Sequence, residues 1–223
     1  MNLDFTTLRL NMVNNQLRTV DVVSPAILSA FLSLSREDFV PVELKEIAYI
    51  DDDLLLSGVK GSVDARYLME PAPLAKLLQL CNFSEDDRVL HIGANIGYAS
   101  IIISDLVRHV VALESDSNLV NELRKNVEKY KKINIEVVES RLNDGYDENG
   151  PYDVIFIEGS VQDFDHKIFD QLCEGGRLII VEGASYNGVA KIYNKQAGDV
   201  SGRVAFNLNV KPLNSFSIYN ESF

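Results

Sequence analysis

Five short apolar runs punctuate the chain from residue 88 onward: RVLHI (88–92), HVVAL (109–113), INIEVV (133–138), YDVIFI (152–157) and RLIIV (177–181). Each is too short for a helix. Helical patterns lie between them, over 97–107, from a cap at Asp116 or Ser117 through Leu119, Val120, Leu123 and Val127, and near 163–172. Apolar strands alternating with helices predict a parallel sheet covered on both faces. The tail departs from this rhythm. AKIYN, GRVAFNLNV and FSIY follow one another without a helix, which predicts an antiparallel edge.

In such a sheet, ligands sit beyond the carboxyl ends of the strands. The first strand runs into His91-Ile92-Gly93-Ala94-Asn95-Ile96-Gly97-Tyr98. Gly93 lets the backbone leave the strand sharply, and Gly97 lets the next helix start close to a ligand. The second strand ends in Glu114, 21 residues after Gly93, where a carboxylate can accept bonds from both ribose hydroxyls. A dinucleotide's pyrophosphate calls for GxGxxG; the order here is G-A-N-I-G.

Upstream, residues 1–50 read as helical. Ser24 caps and Pro25 opens a helix whose Ile27, Leu28, Phe31 and Leu32 form an apolar stripe. Residues 49–71 read as loop with short extended pieces, long enough to line a site. A helix follows Pro71 and Pro73, with Leu74, Leu77, Leu78 and Cys81 on one face.

The formal net charge of −12 argues against a nucleic-acid partner. The basic stretch RKNVEKYKK (124–132) reads as a solvated helix face. Cys81 and Cys173 read as isolated thiols, and neither they nor His91, His109 and His166 show metal-ligand spacing, so no metal is expected. No run reaches the roughly 20 apolar residues needed to span a bilayer, and no signal peptide is visible. A cytoplasmic location, without membrane partners, is the expectation.

The loop spacing resembles the GxGxG loop of S-adenosylmethionine-dependent methyltransferases, with Asn95 for the middle glycine. GPYDVIFIEG (150–159) and LCEGGRLIIV (172–181) resemble that group's fourth strand and the turn into its fifth. The N-terminal segment narrows this. Met12…Gln16-Leu17, then Ser35-Arg36-Glu37-Asp38-Phe39-Val40-Pro41, then Ala48-Tyr49…Asp51 resemble the protein-L-isoaspartate O-methyltransferases nearly end to end. The resemblance implies an α/β fold: a Rossmann-like doubly wound methyltransferase sheet with an N-terminal helical cap and an antiparallel C-terminal edge. It implies a single domain over 1–223, with cap and substrate side in 1–70 and the core in 71–223. It further implies S-adenosylmethionine as cofactor and methyl transfer to the α-carboxylate of isoaspartyl residues in damaged peptides and proteins.

By the same resemblance, His91, Gly93, Asn95, Gly97, Tyr98 and Glu114 hold the cofactor. Backbone at Ser140, Arg141 and Leu142 would hold adenine, and Glu158 would also contact the cofactor. Tyr67, Met69 and Glu70 would lie nearest the transferred methyl. Departures cluster here. His91 replaces a loop acid, Met69 a serine, and Ser140-Arg141-Leu142 a G-D-G stretch; EGSVQDFDH (158–166) replaces a small alanine-rich loop. Three readings stay open: an isoaspartyl methyltransferase with weaker cofactor binding, a methyltransferase with another acceptor, and a non-catalytic descendant.

Overall fold

The computed structural model describes residues 3–62, 65–183, 187–213 and 216. Its centre is a seven-stranded sheet. Five parallel strands come first: β3 (Arg88–Ile92), β4 (His109–Glu114), β5 (Ile135–Glu139), β6 (Tyr152–Val161) and β7 (Leu172–Glu182). Then β8 (Val189–Gln196) and β9 (Asp199–Asn207) close one edge antiparallel. A separate antiparallel hairpin, β1 (Leu54–Ser57) with β2 (Arg66–Leu68), lies on the loop segment. The order across the main sheet is β5-β4-β3-β6-β7-β8-β9. The chain winds outward from β3 through β4 to β5, then returns to place β6 against the other side of β3. The switch point therefore falls between the ends of β3 and β6.

The strands form where the apolar runs predict because both faces are covered. Val89, Ala112, Val154 and Ile179 belong to one buried cluster; Leu90, Val111, Ile155 and Leu178 belong to the other. Helix α3 (Pro71–Cys81) takes Pro at its first turn, α4 (Tyr98–Ser104) follows the glycine loop, and α5 (Ser117–Lys129) is capped by Asp116 Oδ1 accepting from the backbone of Asn118 and Leu119.

Two expectations need correction. The helix expected near 163–172 is a single 3-10 segment, His166–Gln171. Strand β6 runs four residues beyond Ile157, so Glu158 to Val161 are buried strand, not the start of a bulky acidic loop. The FSIY strand of the tail lies outside the described residues apart from Phe216.

The N-terminal cap comprises α1 (Phe5–Met12), a π-helical turn at Val13–Leu17, and α2 (Pro25–Ser33). Its motif residues are ties to neighbouring backbone. Gln16 Nε2 donates to Tyr49 O at 2.9 Å. Arg36, with no exposed surface, donates through Nε to Ala48 O and through Nη2 to Met69 O, each at 2.8 Å. Its guanidinium also lies 5.0 Å from the Tyr98 ring centroid. Arg36 thus connects the cap to the segment carrying Met69. Replacing it strands two buried carbonyls, at about 1–3 kcal/mol each, although removal of a buried charge offsets part of this. Denaturant unfolding of Arg36→Met is expected to show a loss of about 2–4 kcal/mol; wild-type stability would show that these bonds contribute nothing.

Candidate active site

The cleft at the switch point has a volume of about 320 Å3 and is lined by Asp53, Ala65, Arg66, Tyr67, Met69, Asn95, Glu158, Gly159, Lys211, Pro212 and Leu213. Strand ends β3 and β6 form its floor, hairpin strand β2 one wall, and the segment after β9 the other.

The floor depends on unusual backbone. Gly93, Asn95 and Gly97 all have positive φ, at 79°, 50° and 93°. A Cβ on Gly97 would lie 2.3 Å from Leu123 Cδ1, so the glycine is required by packing as well as conformation. Asn95 tolerates its left-handed conformation because its side chain bonds locally, with Nδ2 donating to Gly93 O at 3.1 Å. That bond fixes the amide's orientation and leaves Oδ1 buried without a protein partner.

Glu114 closes the inner end, with no exposed surface. Its Oε1 accepts from the backbone of Ser115 at 2.7 Å and Asp116 at 3.1 Å; Oε2 accepts from Asn95 N at 3.0 Å. Arg66 Nη2 stands 3.5 Å from Oε1 and 3.3 Å from Ser115 Oγ. The carboxylate is therefore covered by Arg66 and does not face the cleft bare.

His91 does not reach the cleft. It is fully buried, stacked on Phe156 with ring centroids 5.1 Å apart, and its Nδ1 lies 2.8 Å from Ser100 Oγ. Its Nε2 approaches Glu158 Oε2 to 2.9 Å without hydrogen-bond alignment. Glu158 is only 5% exposed, yet it lines the cleft, and a carboxylate has room for more donors than one misaligned ring nitrogen. Tyr98 also points away, into the cap between Phe31, Phe39 and Arg36. Ser140 lies beside Glu114, its N–H donating to Glu114 O at 3.2 Å. Arg141 has an exposed side chain and Leu142 is buried in the core; none of the three lines the cleft. Of the sequence-predicted site residues, Tyr67, Met69, Asn95 and Glu158 meet there.

A family model described as protein-L-isoaspartate(D-aspartate) O-methyltransferase (PCMT) matches residues 9–215. The chain belongs to this family. A protein-L-isoaspartate O-methyltransferase 1 of Geotalea uraniireducens is 33% identical, over 78% of this chain and 77% of its own. A protein-L-isoaspartate O-methyltransferase of Koribacter versatilis is 28% identical, over 85% of this chain and 83% of its own. The fold is shared with a solved protein-L-isoaspartate O-methyltransferase (TM-score 0.77, 24% identity), covering 92% of this chain and 64% of that longer one. It is also shared with a Plasmodium falciparum protein described as a beta-aspartate methyltransferase, solved in complex with S-adenosyl-L-homocysteine (TM-score 0.76, 21% identity, 95% and 99% covered).

The departures from the family pattern now have positions. Met69 gives the wall an apolar surface where the family resemblance places a serine. Arg66 and Lys211 are cleft residues that the sequence reading missed. Arg66 stands one residue before Tyr67, the first residue read for the substrate side, and Lys211 lies in a tail read only as sheet edge.

Beside the cleft, an open groove of about 1120 Å3 is lined by Asp52, Asp53, Lys60, Gly61, Ser62, Tyr67, Glu70 and Asn209 to Lys211 and Pro212. Burial first, then a hydrogen bond from the protonated Glu70 to Asp51 and the charges of Asp51, Asp53 and Asp52, push the Glu70 carboxyl from its ordinary 4.5 up to about 7. Between those values the native state holds a proton that the unfolded chain has released. Stability therefore falls as pH rises from about 4.5 to about 7. Glu70→Gln is expected to flatten that slope, read as Tm against pH. An unchanged slope would show that Glu70 titrates normally.

Among the described residues, no group of three His, Cys, Asp or Glu is placed to hold a metal ion, and no helix is long and apolar enough to cross a membrane.

Proposed function

We propose that the chain transfers a methyl group from S-adenosylmethionine to the α-carboxylate of L-isoaspartyl residues in damaged proteins, the first step of their repair. The observation that carries this reading is the cleft of a family member at the β3/β6 switch point, with unspent acceptors on its floor. Asn95 Oδ1 and the Glu158 carboxylate suit the ammonium of the cofactor's amino-acid end. His91 packs beside Glu158, with Nε2 2.9 Å from Oε2. At the other end Glu114 suits a ribose hydroxyl. Three backbone N–H groups already use most of its acceptor directions, so it offers one bond where the sequence suggested two. Backbone beside Ser140 is next to Glu114 and is the place for adenine.

The cofactor supplies an electrophilic methyl on a sulfonium. A carboxylate is already a nucleophile at neutral pH, so the protein's part is alignment and exclusion of water. Met69 and Tyr67 wall the cleft. Lys211, 3.7 Å from Asp53 and 5.7 Å from the Tyr67 ring centroid, is the cation placed to draw in an anionic peptide end. Glu70, neutral over part of the physiological range, lessens repulsion at the groove. We assign the whole chain, 1–223, to one methyltransferase domain. Two free thiols, Cys81 and Cys173, suit a reducing, cytoplasmic setting.

Met69 favours a second reading. It cannot hydrogen-bond a carboxylate, so a family member that has changed its acceptor would keep the same cofactor floor. Radiolabelled methyl transfer to an isoaspartyl peptide separates the two. Labelling of that peptide, and none of its aspartyl counterpart, supports repair; labelling of neither, with cofactor bound, supports the changed acceptor. Losing a bond to a charged group costs about 1.5–3 kcal/mol. Calorimetry is therefore expected to show Glu114→Ala binding S-adenosylhomocysteine more than tenfold more weakly. Wild-type affinity would remove Glu114 from the site.

A further inference from the structure

We infer that Arg66 sets the affinity of the cofactor site by competing with the ribose for Glu114; this rests on the cofactor reading above. A carboxylate offers about four acceptor directions. In Glu114 three go to backbone N–H groups that are part of the fold. The direction left is on Oε2. Arg66 Nη2 approaches Oε1, at 3.5 Å, which already takes Ser115 N, Asp116 N and the Ser115 hydroxyl. The Arg66 side chain both touches Glu114 and lines the cleft. Both side chains are removed from water, at 6% and 0% exposure. Glu114 has no exposed surface, so a ligand hydroxyl coming from the cleft meets the guanidinium before it reaches the carboxylate.

The placement of Arg66 makes it a competitor that can be displaced. It comes from a hairpin strand of three residues, not from the main sheet. It pairs with Ser57 at the end of the hairpin, beyond an irregularity in the register between Leu55 and Ser57. Such an irregularity interrupts the ladder and lets the strand bend. Arg66 also lines the cleft itself, so moving outward keeps its charge beside the acids of the cleft, Asp53 and Glu158. Two states follow: one with Arg66 on Glu114, which excludes the ribose, and one with Arg66 withdrawn, which admits it. Apparent affinity is then the intrinsic affinity multiplied by the fraction of withdrawn molecules. A further consequence is coupling. Any gain from removing Arg66 must pass through Glu114.

The test is calorimetric titration of S-adenosylhomocysteine into wild type, Arg66→Met, Glu114→Gln and the double variant. Arg66→Met is expected to bind at least tenfold more tightly than wild type, and the gain is expected to vanish in the Glu114→Gln background. Equal or weaker binding by Arg66→Met overturns the competition and leaves the cofactor reading standing. A gain that persists without the Glu114 charge also overturns it. No binding by any of the proteins at millimolar ligand overturns the cofactor reading and this inference with it. Should Arg66→Met not fold, Arg66→Gln serves in the same comparison. Wild type gives a variant-free check by NMR: the Arg66 Nε–H resonance is expected to move on saturation with ligand, and an unmoved resonance contradicts displacement.

Discussion

The Glu114 carboxylate is the point on which three separate segments meet. It ends β4, takes the Asn95 N–H of the glycine loop, takes the Ser115 and Asp116 N–H groups of the turn that starts α5, and is covered by Arg66 from the hairpin. A fully buried charge is tolerated only when hydrogen-bonded and paired. Glu114 is satisfied by groups that cannot relocate without undoing the loop or the helix start. The same bonds hold the positive-φ turn at Asn95 in place. The geometry of the cleft floor is thus a consequence of satisfying one buried acid.

The opposite wall depends on a second buried ion. Arg36 reaches from the cap to the carbonyl of Met69, while Gln16 fixes Tyr49 from the same side. The residues that carry the family resemblance in the first fifty positions therefore act through backbone placement. They explain how a chain can keep the family's architecture while residues facing the cleft change: Met69's carbonyl is anchored, and its side chain is left open to substitution. The contact of His91 with Glu158 shows the same pattern on the floor. An acid is absent from the end of β3, and one stands within β6, 2.9 Å from the imidazole.

Strands β3, β4, β6 and β7 were legible because strands buried on both faces are largely apolar, a signal that needs no long-range information; edge strand β5 is mixed instead, with Glu136 and Glu139 exposed. The C-terminal extension of β6 was not legible. Glu158, Gly159 and Ser160 interrupt the apolar run, and Ser160 is held there by exchange with the tail, its N–H donating to Lys211 O and its carbonyl accepting from Leu213 N. That pairing spans some fifty residues and leaves no periodic trace. The short segment at His166–Gln171 misled for the opposite reason: Phe164, Ile168 and Leu172 recur four residues apart, but only a short 3-10 segment forms. The glycine loop and Glu114 were legible through spacing. The Arg66 contact was not, because it joins positions 48 residues apart through a hairpin that no local pattern announces.

A crystal structure of the wild-type chain with S-adenosylhomocysteine tests the account most directly, because it reports on the fate of Glu114 in the loaded protein. The account predicts a ribose hydroxyl on Glu114, the amino-acid end between Asn95 and Glu158, and Arg66 withdrawn from the carboxylate. A ligand seated elsewhere, or one bound in the cleft with the Arg66–Glu114 contact intact, would contradict it.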